Sequence, residues 1–445
     1  MELSREQHIA FDKYIQGQNI FITGPGGCGK SELIRHIYKH ATNSDKNIQV
    51  TALTGCAAIL LNCNAKTIHS WAGIGIANKS DEYILKKVKS NKFAKKMWKT
   101  TDILIIDEIS MLSLKIFNTL NTIGQIIRAN NRPFGGIQLI FSGDFFQLPP
   151  VGDKDNIDTA RFCFESNDWS TVFPLSSQIN MSKIFRQTDN TYADILNQIR
   201  KGEIKQKTCA ILQTYVNRPI PDNLISEPTK LFPVRSTVDA INRTKLASLI
   251  GLETSYSVKY LTDLETNDKN GRKKATFTKE EIQYELQYLS NNLMCDIDIK
   301  LKIGAQVMCI VNIQDDPDKP IRLCNGSQGI VTGFCKMTKC PIVKFNNGIE
   351  EVMLRHVWTS EKIPGIGISQ VPIILAWALT IHKSQGSTLD MAEIDVGNNI
   401  FECGQTYVAL SRVKSLEGLY LTSFNVNKIR INKKVKDFYE QLPLS

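Results

Sequence analysis

Lys30 and Ser31 close the octapeptide Gly24-Pro25-Gly26-Gly27-Cys28-Gly29-Lys30-Ser31, whose spacing fits G-x-x-x-x-G-K-[ST]. Residues of these types at this spacing handle phosphate. Glycines let backbone N–H groups converge on an anion, and the helix that follows turns its positive end toward it. Lys30 then reaches the β- and γ-phosphates, and Ser31 holds Mg²⁺. Cys28, inside the loop, is expected to be open to alkylation when no nucleotide covers it. Asp107 and Glu108 follow the apolar run Ile103-Leu104-Ile105-Ile106. Two carboxylates at the tip of a strand buried on both faces need a cation or another partner. Asp107 suits Mg²⁺ and Glu108 suits polarising an attacking water; the plainer reading is two acids capping the next helix. Gln147, in the loop Gly143 to Val151 after a third apolar strand, is placed to sense a γ-phosphate. Gln7, upstream of the phosphate loop, either bonds an adenine edge or is an ordinary surface glutamine.

A second set of residues suits a phosphodiester backbone. Lys66-Thr67-Ile68-His69-Ser70-Trp71 offers small polar groups and one aromatic that could stack a base, although His69 and Trp71 equally suit packing. Thr380-Ile381-His382-Lys383-Ser384 follows the apolar strand Val371 to Leu379 and again presents hydrogen-bonding side chains, of which Thr380, His382 and Ser384 are the candidates. In Tyr407-Val408-Ala409-Leu410-Ser411-Arg412-Val413 an apolar helix carries a single arginine, Arg412, which is either a salt-bridge partner or catalytic. Lys86, Lys87, Lys89, Lys92, Lys95, Lys96 and Lys99 form a run without acids; two amphipathic helices with solvated lysine faces account for it.

The elements that position these groups follow from periodicity and punctuation. Ser4 caps an amphipathic helix. A strand, the phosphate loop, a helix from Lys30 to about Ala41 and the strand Ile48 to Leu53 make a βαβ unit, so a parallel sheet is expected. From about Phe173 the pattern restarts with Met181 to Gln187, which includes Arg186, then a helical run and the strand Leu231 to Val234. Residues 262–281 are polar, lysine-rich and contain Asn270-Gly271, an expected exposed excursion. Between Ile303 and Trp358, short β-type runs alternate with Asn325-Gly326 and Asn347-Gly348, the pattern of hairpins in a small barrel.

The 445 residues exceed one hydrophobic core and call for two to four domains. A balance of 54 Lys+Arg against 44 Asp+Glu leaves +10 and favours a polyanionic partner. Eleven scattered cysteines without C-x-x-C spacing argue against disulfides and zinc and for a reducing compartment. Neither an eighteen-residue apolar run nor a signal-peptide core is visible, so a soluble intracellular protein, nuclear or cytoplasmic, with no membrane partner is expected.

GPGGCGKS, TGCAA, KTIHSW, LIIDEISM, FSGDFFQLPPV, FRQ, AWALTIHKSQGSTL and VALSRV occur in the order of the helicase motifs of the petite-integration-frequency (PIF) family, in the RecD-like branch of helicase superfamily one. The chain resembles that family from Gln7 to Val413. The resemblance implies an α/β fold of two RecA-like P-loop lobes with parallel sheets, and a small β-barrel insertion in the second. The ranges expected are 1–173 for the first lobe, with a short wedge near 59–80, then 174–260 and 360–445 for the second, and 261–359 for the insertion. It further implies ATP and Mg²⁺ as cofactors, and 5′-to-3′ movement on single-stranded DNA with unwinding of tailed duplex DNA. The expected state is a monomer that works beside other replication or repair proteins. Carried over by residue, Gln7 reads adenine, Gly24 to Ser31 cradle phosphate, Ser31 and Asp107 bind the metal, and Glu108 serves the water. Gln147 senses the γ-phosphate, Arg186 and Arg412 are arginine fingers from the second lobe, and His69, Thr380, His382 and Ser384 fall at DNA-contacting motifs. Pro25 and Cys28 depart from the usual loop, and a long N-terminal extension is not expected. Two alternatives are a RecD-like subunit of a nuclease complex, which self-sufficient unwinding would argue against, and a non-enzymatic single-strand-binding module. The intact Lys30, Asp107, Glu108, Arg186 and Arg412 speak against the second.

Overall fold

A strand apolar on both faces must be covered on both sides, and the apolar runs of the first half accordingly lie inside one parallel sheet. In this computed structural model the described residues are all except 1–2, 62, 76, 78, 154, 188, 222–223, 265–276, 292, 294, 314–321, 361–362 and 443–445. The expected excursion at 262–281 lies largely outside them.

The first sheet holds β1 (Ile20–Thr23), β2 (Ile48–Ala52), β3 (Lys66–Thr67), β4 (Ile103–Asp107), β5 (Gln138–Gly143) and β6 (Gln178–Asn180) in the order β3-β2-β4-β5-β1-β6. Its pairings are parallel throughout, with Thr23 beside Gly143 and Ile106 beside Phe141. The carboxyl ends of β1, β4 and β5 therefore share one edge, with β5 between the other two. Alternation along each strand sends Phe21, Ile106 and Phe141 into one core and Ile20, Ile22, Ile105 and Ile140 into the other. The helices of this region are α1 (Arg5–Ile15), α2 (Lys30–Asn43), α3 (Gly55–Leu61), α4 (Ile68–Ala72), α5 (Asp81–Ser90), α6 (Lys92–Thr100), α7 (Leu114–Arg128), α8 (Trp169–Val172) and α9 (Asn190–Lys201). Ser4 caps α1 as expected, within a capping box closed by Gln7.

By contact the chain forms two compact units: Met1–Ala210 with Ile400–Ser411 and Asn425–Ser445, and Ile211–Asn399 with Arg412–Phe424. The second unit contains a parallel sheet of β7 (Thr229–Phe232), β8 (Ala378–Thr380), β9 (Ala392–Val396) and β10 (Leu419–Phe424), in the order β8-β7-β9-β10. It also contains a five-stranded antiparallel sheet built from Gln306–Cys309, Gln328–Phe334, Pro341–Phe345, Glu350–Val352 and Ile373–Leu375. Gly326 (φ 99°) and Gly348 (φ 84°) take the positive φ that these turns need.

The grouping differs from the ranges read off the sequence. β6 extends the first sheet past 173, and the helices α10 (Gln405–Leu410) and α11 (Lys433–Glu440) belong to the first unit, not the second. Aromatic packing gives the reason for α11. Phe438 stacks on Phe164 with centroids 4.4 Å apart and meets Phe145 at 5.5 Å, while Val435 is buried in the same core.

Candidate functional site

The phosphate loop leaves β1 at Thr23 and runs into α2, whose N-cap Gly29 has φ 87°. A side chain at Gly24 would collide with the Met181 carbonyl, and one at Gly27 with Cβ of Arg186, so the glycines admit close backbone approach. The Lys30 ammonium donates to the Gly24 carbonyl (2.8 Å) and the Pro25 carbonyl (3.0 Å). Cys28 is fully buried, with Sγ 3.5 Å from Lys30 Nζ. The expectation of an alkylation-prone thiol is therefore corrected: Cys28 points into the core beneath the loop.

β4 delivers Asp107 and Glu108 to the same sheet edge. Asp107 is buried, and burial followed by the Glu108 charge pushes its carboxyl up to about 7. Glu108 has φ 55° and ψ 41°, a left-handed conformation that a side-chain-bearing residue rarely adopts. The donor set is therefore a carboxylate carried on strained backbone beside a buried one, at the edge where the phosphate loop begins.

Gln7 is buried; its amide donates to the Gly29 carbonyl (3.1 Å) and its side-chain oxygen accepts from the Ser4 N–H (2.7 Å). It ties α1 to the phosphate loop, which the surface-glutamine reading does not anticipate. Gln147 is buried in the turn after β5. Arg186 lies in the first unit, against the loop: Phe185 N–H donates to the Gly27 carbonyl (2.8 Å), and an Arg186 guanidinium N–H lies 3.4 Å from the Ser411 carbonyl. Burial lowers its pKa, opposed by Tyr407 and Glu108. The expected second-lobe origin of Arg186 is thus corrected, because its segment continues directly from β6. Arg412 belongs to the second unit and is buried, with its guanidinium 3.5 Å from the carbonyls of Ser384 and Ser387.

Sequence reasoning missed a group of residues that hold this edge together. Asp144 and Arg200 form a buried bidentate ion pair at 2.8 and 2.9 Å. Tyr439 donates to Asp144 (3.2 Å), accepts from the Phe145 N–H (3.1 Å) and bonds Thr23. Tyr407 accepts from the Gly26 N–H at 2.7 Å. The pairs are separated by 56 to 416 residues in sequence, so no local spacing reveals them; the single visible sign is Asp144, an acid directly after a buried strand.

The candidate DNA contacts divide. His382 is exposed and His69 is half-buried, its pKa lowered by burial. Trp71 is 1% exposed and packs on Trp98 with centroids 4.5 Å apart. Its base-stacking role is corrected to a core role: α4 is capped by Thr67 and turns the indole inward. Ser384 is also fully buried, its hydroxyl donating to the Ile381 carbonyl (2.9 Å), and Thr380 accepts from the Lys383 N–H (3.1 Å). These two shape the turn after β8. All seven lysines of 86–99 are exposed on α5 and α6. Among the described residues no helix is long and apolar enough to cross a membrane.

Comparison with known proteins places this geometry in a family. The family model for PIF1-like helicases matches residues 2–210, and that for the 2B domain of DNA helicase Pif1 matches residues 286–334. The chain is 35% identical over 497 residues to the ATP-dependent DNA helicase PIF1 of Emericella nidulans, covering 98% of this chain and 62% of that protein. It thus spans less than two thirds of that relative's length. The crystal structure of Pif1 helicase from Candida albicans superposes with a TM-score of 0.76 at 36% identity, covering 100% of both chains. A Bacteroides Pif1 helicase in complex with ADP-AlF3 and single-stranded DNA gives 0.64 at 28%, covering 99% of this chain and 97% of that one.

Proposed function

The chain belongs to the PIF1-like helicase family, and from that premise we propose that it is an ATP-dependent DNA helicase moving 5′-to-3′ on single-stranded DNA and unwinding tailed duplex DNA. The observation that carries this reading is the meeting, at one sheet edge, of the phosphate loop after β1 and the buried Asp107 and strained Glu108 after β4. Neither feature has a use in a protein that only holds DNA. The relative solved with ADP-AlF3 and single-stranded DNA supports the same ligands here.

Asp107 fits Mg²⁺, since a carboxyl raised by burial and by a second carboxylate is relieved by a hard cation with oxygen ligands. Ser31 and Asp107 would hold it, and when bound it supplies positive charge to phosphoryl oxygens as transfer proceeds. Lys30 leaves the Gly24 and Pro25 carbonyls to meet the phosphates, which exchanges two hydrogen bonds to neutral acceptors for bonds to anionic ones. Glu108 orients the attacking water and takes its proton, Gln147 reports the γ-phosphate, and Arg186 stabilises charge on the phosphoryl group. Gln7 keeps one amide hydrogen and one lone pair beyond its two bonds, enough for an adenine edge. Arg412 is proposed as the second arginine of the reaction. His69 and His382 are proposed strand contacts. The test is ATP-driven unwinding by the purified chain of a duplex with a 5′ tail against one with a 3′ tail. Activity on the 5′-tailed substrate is expected; unwinding confined to the 3′-tailed one, or none despite ATP turnover, overturns the reading.

A further inference from the structure

The phenol of Tyr407 sits on α10 at a place the reaction scheme leaves unassigned. It is 2% exposed and accepts the Gly26 N–H at 2.7 Å, so its oxygen is fixed against the phosphate loop. Among the described residues no acceptor is found for the phenol's own hydrogen. A buried O–H without an acceptor forfeits a bond it would have in water, a loss on the scale of the bond itself, and such groups mark places where a partner is to be received. Two neighbours, the phosphate loop and Arg186, identify the partner as an anion. Gly26 belongs to a loop of converging N–H donors. Ser411, one helical turn on from Tyr407, places its Oγ 3.7 Å from where a Cβ on Gly26 would stand, but its hydroxyl donates to the Val408 carbonyl (2.9 Å), so Tyr407 is the side chain here with a hydrogen to give. Arg186 feels Tyr407 electrostatically and holds its guanidinium 3.4 Å from the Ser411 carbonyl, so a cation faces the same spot. Burial and the Asp144 charge hold the phenol firmly protonated, which leaves it a donor at any working pH.

We propose that Tyr407 is a specificity-determining residue that donates its phenolic O–H to the terminal phosphate of a nucleoside triphosphate, so that the site separates triphosphate from diphosphate. The proposal rests on the ATPase reading above. Its logic is that of any site built to bond a polar group: a ligand lacking that group leaves the buried donor unpaired. A diphosphate satisfies the loop and Lys30 but leaves the Tyr407 hydrogen without an acceptor. A triphosphate satisfies both. Because α10 ends at Leu410 and its C-cap Ser411 is followed directly by Arg412, the residue that reads the third phosphate is five positions from the second proposed arginine.

The measurement is equilibrium binding of ADP and of a non-hydrolysable ATP analogue, with Mg²⁺, to the wild-type chain and to Tyr407→Phe, which keeps the ring and removes the hydroxyl. The variant is expected to bind the ATP analogue about 3- to 10-fold more weakly, as for loss of one buried hydrogen bond, and to bind ADP within a factor of about two. Equal weakening for both nucleotides would show a structural role. Tighter binding of both would show that the phenol merely competes for the Gly26 N–H. Either result overturns the proposal. A wild-type chain that binds neither nucleotide overturns the ATPase reading instead, a distinguishable failure. If Tyr407→Phe does not fold, 3-fluorotyrosine at position 407 in the otherwise native chain serves: its ¹⁹F resonance is expected to move with the ATP analogue and stay within its linewidth with ADP, and identical responses to both overturn the proposal.

Discussion

Lys30, Glu108 and Arg186 divide the chemistry so that each should fail differently when replaced. Lys30→Ala removes the charge that meets the phosphates and is expected to abolish ATP turnover while single-strand binding stays measurable; substantial remaining turnover would remove Lys30 from the mechanism. Glu108→Gln keeps the size of the side chain but loses the base, so nucleotide should still bind while hydrolysis stops. Comparing nucleotide affinity in the two variants checks the division, and equal losses would contradict it. Arg186→Ala is expected to lower turnover on the order of 10³-fold, the scale of other arginines in phosphoryl transfer, with a much smaller change in ATP affinity. Normal turnover with DNA present would make Arg186 structural. Replacing Trp71 acts on stability instead of chemistry. Its burial against Trp98 means that Trp71→Ala should cost about 3–5 kcal/mol of stability, read by denaturant unfolding, and an unchanged unfolding midpoint would return the indole to the surface.

Among the elements, α11 does what its composition hides. Lys433–Glu440 is lysine-rich, yet it sends Phe438 into the aromatic core and Tyr439 to Asp144, Phe145 and Thr23, the root of the phosphate loop. Tyr439→Phe removes a donor to a carboxylate and the acceptor of the Phe145 N–H, and is expected to cost about 1.5–3 kcal/mol. Arg200→Met strands Asp144 as a buried, unpaired charge and should cost about 3–5 kcal/mol. Urea titration of both variants ranks them, and an Arg200→Met protein no weaker than Tyr439→Phe would remove the ion pair from the account. The strands are legible in the sequence because burial on both faces writes itself as an uninterrupted apolar run, as in Ile103 to Ile106. The phosphate loop and Asp107-Glu108 are legible because glycine spacing and acids at a strand tip have few other uses. Tyr407, Tyr439 and Arg200 are not, since their partners lie far away in the chain and a tyrosine or arginine on a helix looks the same whether it faces solvent or an ion. Trp71 misleads because its polar neighbours make a buried helical turn resemble a loop.

For the whole molecule the question is where its charge acts. Seven of the lysines behind the net +10 lie exposed on α5 and α6, whose apolar faces hold Ile84, Val88, Ala94 and Trp98 in the core. Lysines free to move bind phosphate without regard to nucleotide state, whereas a motor must grip and release with its ATP cycle. Reversing Lys86, Lys92 and Lys96 to glutamate is expected to weaken DNA binding at low salt and flatten its salt dependence. The slope of log affinity against log salt should shrink by about 0.7 for each single-strand phosphate that the variant no longer neutralises. ATP turnover at saturating DNA should be spared. Loss of DNA-stimulated turnover in that variant, while His382→Ala keeps it, would put the strand on the lysine face.

The left-handed backbone at Glu108 has a consequence for any lineage of this protein bred under a single pressure. Holding a side-chain-bearing residue there costs roughly 1–2 kcal/mol that glycine would not incur. Glu108→Gly should accordingly melt at a higher temperature than the parent while hydrolysing no ATP. A library screened for heat resistance alone would therefore discard Glu108 early, and the hardiest descendants would be inert. Thermostabilising campaigns on this chain need an activity filter at every round, because a position that rewards relaxation is here one that the chemistry cannot spare.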